Sequence, residues 1–150
     1  MPMIDIKLPK GALDEQTRAT LADRLTTTLL KWEKAPDTEF FRAISWTHVH
    51  ELAADATHDA NGPDAPPHFL LDVTTPQGAL SDRRREEMTK EMTQQVLEAA
   101  GLAPEDGMRV WIIMHEVPEG SWGAGGAVIR FEQLRAAAQQ QREEAGAPTG

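Results

Sequence analysis

Pro2-Met3-Ile4-Asp5-Ile6-Lys7-Leu8-Pro9-Lys10-Gly11-Ala12-Leu13 returns later in the chain as Phe69-Leu70-Leu71-Asp72-Val73-Thr74-Thr75-Pro76-Gln77-Gly78-Ala79-Leu80. Asp, Pro, Gly, Ala and Leu recur at matched places, each 67 residues on (72 − 5, 76 − 9, 80 − 13). Each copy opens with a short apolar run closed by proline and glycine, which reads as a strand running into a turn. One difference between the copies has chemistry in it: Pro2 stands where the second copy has Phe69. Removal of Met1 would leave Pro2 as a free secondary amine at the head of a strand, so only the first copy can offer a base or nucleophile there.

Both copies continue in the same order. Asp14 is placed to cap a helix, and Arg18, Ala22, Leu25, Leu29 and Trp32 follow at helical spacing up to Ala35-Pro36. Ser81 is the matching cap, Arg85, Met88, Met92, Val96 and Ala99 mark the inner side of the second helix, and Gly101 closes it. Strands are expected over about Phe40 to Val49 and Met108 to Glu116. The offset of 67 extends to Arg42 and Arg109 and to His48 and His115, with one indel at the helix ends, since Ala103-Pro104 lies 68 after Ala35-Pro36.

Each copy is therefore a β-α-β unit with parallel strands and a right-handed crossover. The expected fold is α+β built from such α/β units: a four-stranded sheet with two helices on one face. The other face must meet something, and a second subunit is the economical cover. One domain is expected over residues 1–131, made of repeats 1–52 and 68–131 joined by a polar linker, 53–67. The glycine-dense stretch 117–126 should make a hairpin. Residues 132–150 should form a polar helical tail, mobile from Ala145 onward.

Composition narrows the function classes. The chain has 150 residues, 40% of them apolar, which suits one globular domain with a real core. A formal net charge of −9 argues against a nucleic-acid-binding face. No apolar run approaches the roughly 20 residues that span a bilayer, and no signal peptide is legible. The absence of cysteine excludes disulfides and thiol catalysis. A cytoplasmic location is the expectation.

With these motifs in place, the chain resembles the tautomerase superfamily, the 4-oxalocrotonate tautomerase-like proteins, over roughly residues 2–126. The resemblance rests on Met-Pro followed by a strand and Leu8-Pro9-Lys10-Gly11-Ala12-Leu13-Asp14-Glu15-Gln16, on the Ala-Pro that precedes an arginine in both copies, and on His115-Glu116-Val117-Pro118-Glu119-Gly120-Ser121-Trp122-Gly123-Ala124-Gly125-Gly126. It implies a tautomerase/MIF-like fold. The fused two-unit members, of the cis-3-chloroacrylic acid dehalogenase type, imply a homotrimer with no cofactor and one terminal proline per chain.

The resemblance also assigns roles. Pro2 would be the general base, because a free α-amine titrates near 7.7–8.0 and burial or nearby arginines lower it toward neutrality. Arg109 would polarise the carbonyl or carboxylate of a 2-oxo acid, with Arg42 as its repeat-matched counterpart. Trp122 would wall the proline from water, and Glu116 would activate water in hydrating or dehalogenating members. The family's loop arginine is missing, for Ala12 and Ala79 occupy its places. Arg84, flanked by Arg83 and Arg85, or Lys10 would then have to hold the carboxylate. The histidine that follows the first helix in dehalogenase-type members has no clear counterpart.

His48 and His50 share one strand face and could hold zinc with His58 or His68, but no third ligand is fixed and no metal is expected. The leading expectation is a keto–enol tautomerase of a small 2-oxo acid such as phenylenolpyruvate or 2-hydroxymuconate. The alternatives are hydration, dehalogenation or decarboxylation of a three-carbon acid on the same scaffold, and an inactive trimeric binding or scaffold protein.

Overall fold

The computed structural model describes residues 1–146. Strand β1 (Met3–Pro9) leads to helix α1 (Glu15–Glu33), a short helix α2 (Glu39–Ala43) and β2 (Trp46–Leu52). The second unit runs β3 (Phe69–Pro76), α3 (Asp82–Ala100), a 3-10 turn (Pro104–Arg109) and β4 (Val110–Val117). A small hairpin, β5 (Gly123–Ala124) and β6 (Ala127–Val128), then precedes α4 (Phe131–Gly146). The expected tail is thus a helix whose last residues reach 146, and residues 147–150 lie outside the described part.

The sheet order is β2-β1-β3-β4. β1 pairs in parallel with β2, and β3 with β4, as two β-α-β units require. The two units join by antiparallel pairing of β1 with β3, in a register that sets Asp5 opposite Asp72. Strand alternation turns Ile4, Ile6 and Leu8 of β1 and Phe69, Leu71 and Val73 of β3 to one side, all at most 2% exposed. Leu21, Leu25 and Leu29 of α1 and Met88, Met92 and Val96 of α3 close over them. Between the helices, Gln95 donates to Thr28 Oγ1 at 2.7 Å. These two positions are themselves 67 apart, so the repeat meets itself across the core.

The helix boundaries follow local chemistry. Asp14 accepts from Thr17 N and Ser81 from Arg84 N, satisfying orphan amide donors. Lys34 and Gly101 end the helices in left-handed geometry. The turns after β1 and β3 are copies: Gly11 (φ 87°) and Gly78 (φ 80°) take positive φ, with Ala12 N on Pro9 O and Ala79 N on Pro76 O.

Three expectations need correction. The strand read from Phe40 to Val49 splits into α2 and β2, because Thr38 caps a helical turn at Phe41 N and Phe41 buries its ring. The strand read from Met108 begins at Val110, since Pro104 opens a 3-10 turn that lasts to Arg109. The offset of 67 does not persist into the second strands. Leu70, the counterpart of Met3, pairs with Trp111, whereas Met3 pairs with Trp46, an offset of 65 (111 − 46). The matched pairs are Trp46 with Trp111, His50 with His115 and Glu51 with Glu116. Arg42 and Arg109 are therefore not counterparts, and neither lies on a strand.

The corrected register explains duplicated contacts. Arg18 pairs with Glu51, and Arg85 with Glu116. His50 Nε2 lies 2.7 Å from Asp5, and His115 Nε2 2.9 Å from Asp72. Each strand tryptophan donates to a carbonyl three residues back, Ala43 or Met108. On the uncovered face Trp46, Trp111 and Ile113 are 59%, 61% and 42% exposed. Leu71→Ala, at the centre of β3, is expected to lower unfolding free energy by about 2–5 kcal/mol in urea titration. A loss under about 1 kcal/mol would contradict the tight packing of this layer.

Candidate active site

Pro2 is buried, and its carbonyl accepts from Trp46 N at 3.1 Å. The pyrrolidine falls two residues before Ile4, on the helix side of the sheet. A cavity of about 290 Å³ opens here beside Met1. Its wall comes from the end of α1 (Glu33), the turn after β3 (Pro76 to Ala79), the start of α3 (Arg84) and one stripe of α4.

Glu33 is the unusual group. The residue is half-buried, and among the described residues its shielded Oε1 has no hydrogen-bond partner. Burial pushes its carboxyl up to about 7, although the chain's amino group and Arg84 pull the other way. Burial also lowers the Met1 amine, while the Glu33 charge raises it. An acid and an amine thus approach each other in proton affinity inside one enclosure, the arrangement that proton transfer near neutrality needs.

Arg84 is held rather than free. Its Nη1 donates to Trp32 O at 3.0 Å and Ala79 O at 2.9 Å, and its Nε to Ser81 Oγ at 3.4 Å. Among the described residues its Nη2 has no partner. A guanidinium anchored on one side and open on the other can take a carboxylate. From α4 come Phe131, Leu134, Arg135, Ala138 and Arg142. Ala138 packs with Leu30 and Phe41, and Arg142 donates to Lys34 O at 2.9 Å, so α4 is fastened over the end of α1.

Of the residues singled out from the sequence, Arg84 lines this cavity, and Pro2 lies buried next to Met1, which lines it. Arg42 is clamped on the surface by Asp37 and Asp23 and donates to Thr27. Arg109 pairs with Asp106 and lines a separate cavity of about 780 Å³ with His58, Phe69 and Met108. The β1–β3 register separates it from Pro2 by seven residue levels, roughly 20 Å at about 3.3 Å per residue. Glu116 Oε1 accepts from Arg85 Nη2 at 2.7 Å and from Gly78 N at 3.1 Å, and the residue does not line the cavity beside Met1. Trp122 sits in the segment joining β4 to α4, where its carbonyl accepts from Ile129 N. Lys10 donates its backbone amide to Leu52 O.

Glu33, Arg135 and Arg142 were missed, yet the sequence carries a signal for each. Glu33 continues the buried series Leu21, Leu25, Leu29 at steps of four, so a charge falls on the apolar stripe. Phe131, Leu134, Arg135, Ala138 and Arg142 fall on one face of a helix. The repeat supplies a control: the counterparts of Glu33 and Arg84 are Ala100 and Thr17 (100 − 33 and 84 − 17 are both 67). The Phe69 end of the sheet therefore lacks this acid and this cation.

Sequence comparison matches residues 70–132 to a family model described as tautomerase enzyme. A search of curated protein sequences finds no match. Among solved structures, N1, a member of the cis-3-chloroacrylic acid dehalogenase family, superposes with TM-score 0.71 at 24% identity, covering 95% of this chain and 96% of that one. A fused 4-OT in a symmetric trimer gives TM-score 0.70 at 17% identity, covering 91% and 98%. Macrophage migration inhibitory factor from Oncomelania hupensis gives 0.70 at 16%, covering 97% and 94%.

The pH dependence of stability tests the buried carboxyl. The folded pKa of Glu33 lies above the ordinary 4.5, so the native state keeps a proton that the unfolded chain releases. Its contribution is full below about 4.5 and is lost as pH rises through about 7. The shift, at about 1.4 kcal/mol per pH unit, corresponds to about 3 kcal/mol. Glu33→Gln, which cannot ionise, is expected to lose less stability than the parent between pH 5 and pH 8, read from urea midpoints. Identical pH profiles would mean the carboxyl is hydrated.

Proposed function

We propose that this chain, a member of the tautomerase superfamily by its fold and by the sequence of its second repeat, is a cofactor-independent keto–enol tautomerase of a small 2-oxo acid. One observation carries the reading: the chain's amino end, an orphaned carboxyl and a half-open guanidinium converge on one cavity, and the duplicate end of the sheet has none of them.

In this reading Met1 is removed and the Pro2 nitrogen becomes a secondary amine in the enclosure. Unprotonated, it takes the enol O–H proton and returns a proton to the adjacent carbon, leaving the 2-oxo acid. Burial favours the neutral amine. Glu33 exchanges protons with it and keeps one carried proton within the cavity. Arg84 takes the substrate carboxylate through Nη2, and Arg135 and Arg142 add positive potential at the mouth. Trp122 is the aromatic shield. Arg109, too distant within its own chain, serves the cavity of an adjacent copy.

Glu116 is anchored through Oε1, which accepts from both Arg85 Nη2 and the Gly78 amide, and it does not line this cavity. That favours tautomerisation over hydration or dehalogenation, where it would have to activate water. The uncovered sheet face, with Trp46, Trp111 and Ile113, is the surface for a homotrimer, a form in which fused 4-OT is known. Among the described residues no helix is long and apolar enough to cross a membrane.

Pro2→Ala is expected to cut kcat/KM for phenylenolpyruvate ketonisation by about 10²–10⁴-fold, the usual worth of a general base. Arg84→Ala should cost about 10²–10³-fold, the worth of one charge-stabilising donor. Rates equal to the parent's would remove these residues from the reaction, and retention of Met1 in an intact-mass spectrum would remove the amine. Sedimentation should report a trimer, and the double variant Trp111→Lys, Ile113→Lys should sediment as a monomer. A parent that sediments as a monomer ends the trimer proposal.

A further inference from the structure

The antiparallel seam sets Asp5 directly across from Asp72 on the uncovered face. Like charges at facing positions destabilise a sheet, so each carboxylate needs a cationic partner. The two aspartates are served differently. Lys7 Nζ lies 3.0 Å from Asp72, with His115 on its other oxygen. Those contacts, the His115 hydrogen bond first, hold the Asp72 carboxyl below the usual range.

Asp5 has no lysine. The position that matches Lys7 in the other repeat is Thr74 (74 − 7 = 67). What faces Asp5 is a pair of imidazoles: Oδ1 lies 2.7 Å from His50 Nε2 and 3.3 Å from His48 Nδ1. The three donor atoms all lie within 4.8 Å of one another. In the corrected register Asp5 matches Asp72 and His50 matches His115, but Ile113 stands where His48 does. The third ligand exists in the first repeat only, beside the aspartate that no lysine reaches, because Lys7 crosses the seam to Asp72.

We propose that Asp5, His48 and His50 bind a divalent transition metal of the zinc class, the dication doing at Asp5 what Lys7 does at Asp72. Two imidazoles and one carboxylate are a donor set that zinc accepts, with its fourth position left to water. Bonds of about 2.0–2.2 Å in tetrahedral geometry place donors about 3.3–3.5 Å apart, a spacing already met by Asp5 and His48. The two histidines alternate with Val49 on one strand and Asp5 sits on the next, so sheet register rather than a loop fixes the set. None of these three residues lines the cavity beside Met1, so the inference stands apart from the tautomerase chemistry, while it shares its sheet face with the proposed trimer surface.

Calorimetric titration of the chelator-stripped full chain with zinc chloride should show one site per chain. Asp5→Asn and His48→Ala should each weaken binding by at least about 10-fold, since even outer partners of metal ligands cost about 10–100-fold. His48 is half exposed and away from the seam, so His48→Ala gives the reading even if Asp5→Asn disturbs the sheet. His115→Ala should bind as the parent does. Trp46, whose ring centre lies 6.2 Å from that of His48, offers an independent fluorescence signal. No saturable heat, or affinity unchanged by His48→Ala, or equal weakening by His115→Ala, would overturn the site.

Discussion

The structure depends on the antiparallel pairing of β1 with β3. Each β-α-β unit alone would present a two-stranded sheet with one helix, too little to bury its own apolar face. The seam merges two such units into one sheet and brings α1 beside α3. Leu25 and Met92, 67 residues apart, then share a core with Ile6 and Val73. The same seam sets the length scale that puts Pro2 and Arg109 at opposite ends of the sheet.

Duplication gives the fold its symmetry, and departures from duplication give it chemistry. The scaffold is repeated faithfully: caps at Asp14 and Ser81, turns at Gly11 and Gly78, ion pairs at Arg18–Glu51 and Arg85–Glu116. The groups that differ cluster at two places. At the Pro2 end, Glu33 and Arg84 replace what in the other half are Ala100 and Thr17. On the uncovered face, His48 and Thr74 replace Ile113 and Lys7. A group with no counterpart is released from the packing rules of the repeat, which is where a buried acid or an extra imidazole can be tolerated.

Much of the fold was legible because its signals are local. The alternation in residues 3–8 and 69–75, the caps, and the positive-φ glycines each depend on a few neighbours. The errors arose where local signals compete. Phe40 and Phe41 read as strand by residue type, yet the Thr38 cap wins and makes a helical turn. The histidine spacing of 67 from His48 to His115 was coincidental, since β-ladder pairing shows a two-residue slip that a one-residue indel at the helix ends did not reveal.

The sequence by itself determined the repeat, the β-α-β order, the caps and turns, and the singular proline, because these are written in neighbouring residues. Only the tertiary structure decided which distant groups share a cavity. Glu33 lies 32 positions from Met1 along the chain (33 − 1), Arg84 83 positions (84 − 1) and Arg142 141 positions (142 − 1). Helix packing alone draws them together. The proton affinity of Glu33 is likewise a tertiary property, because it comes from the exclusion of water by elements that fold over it.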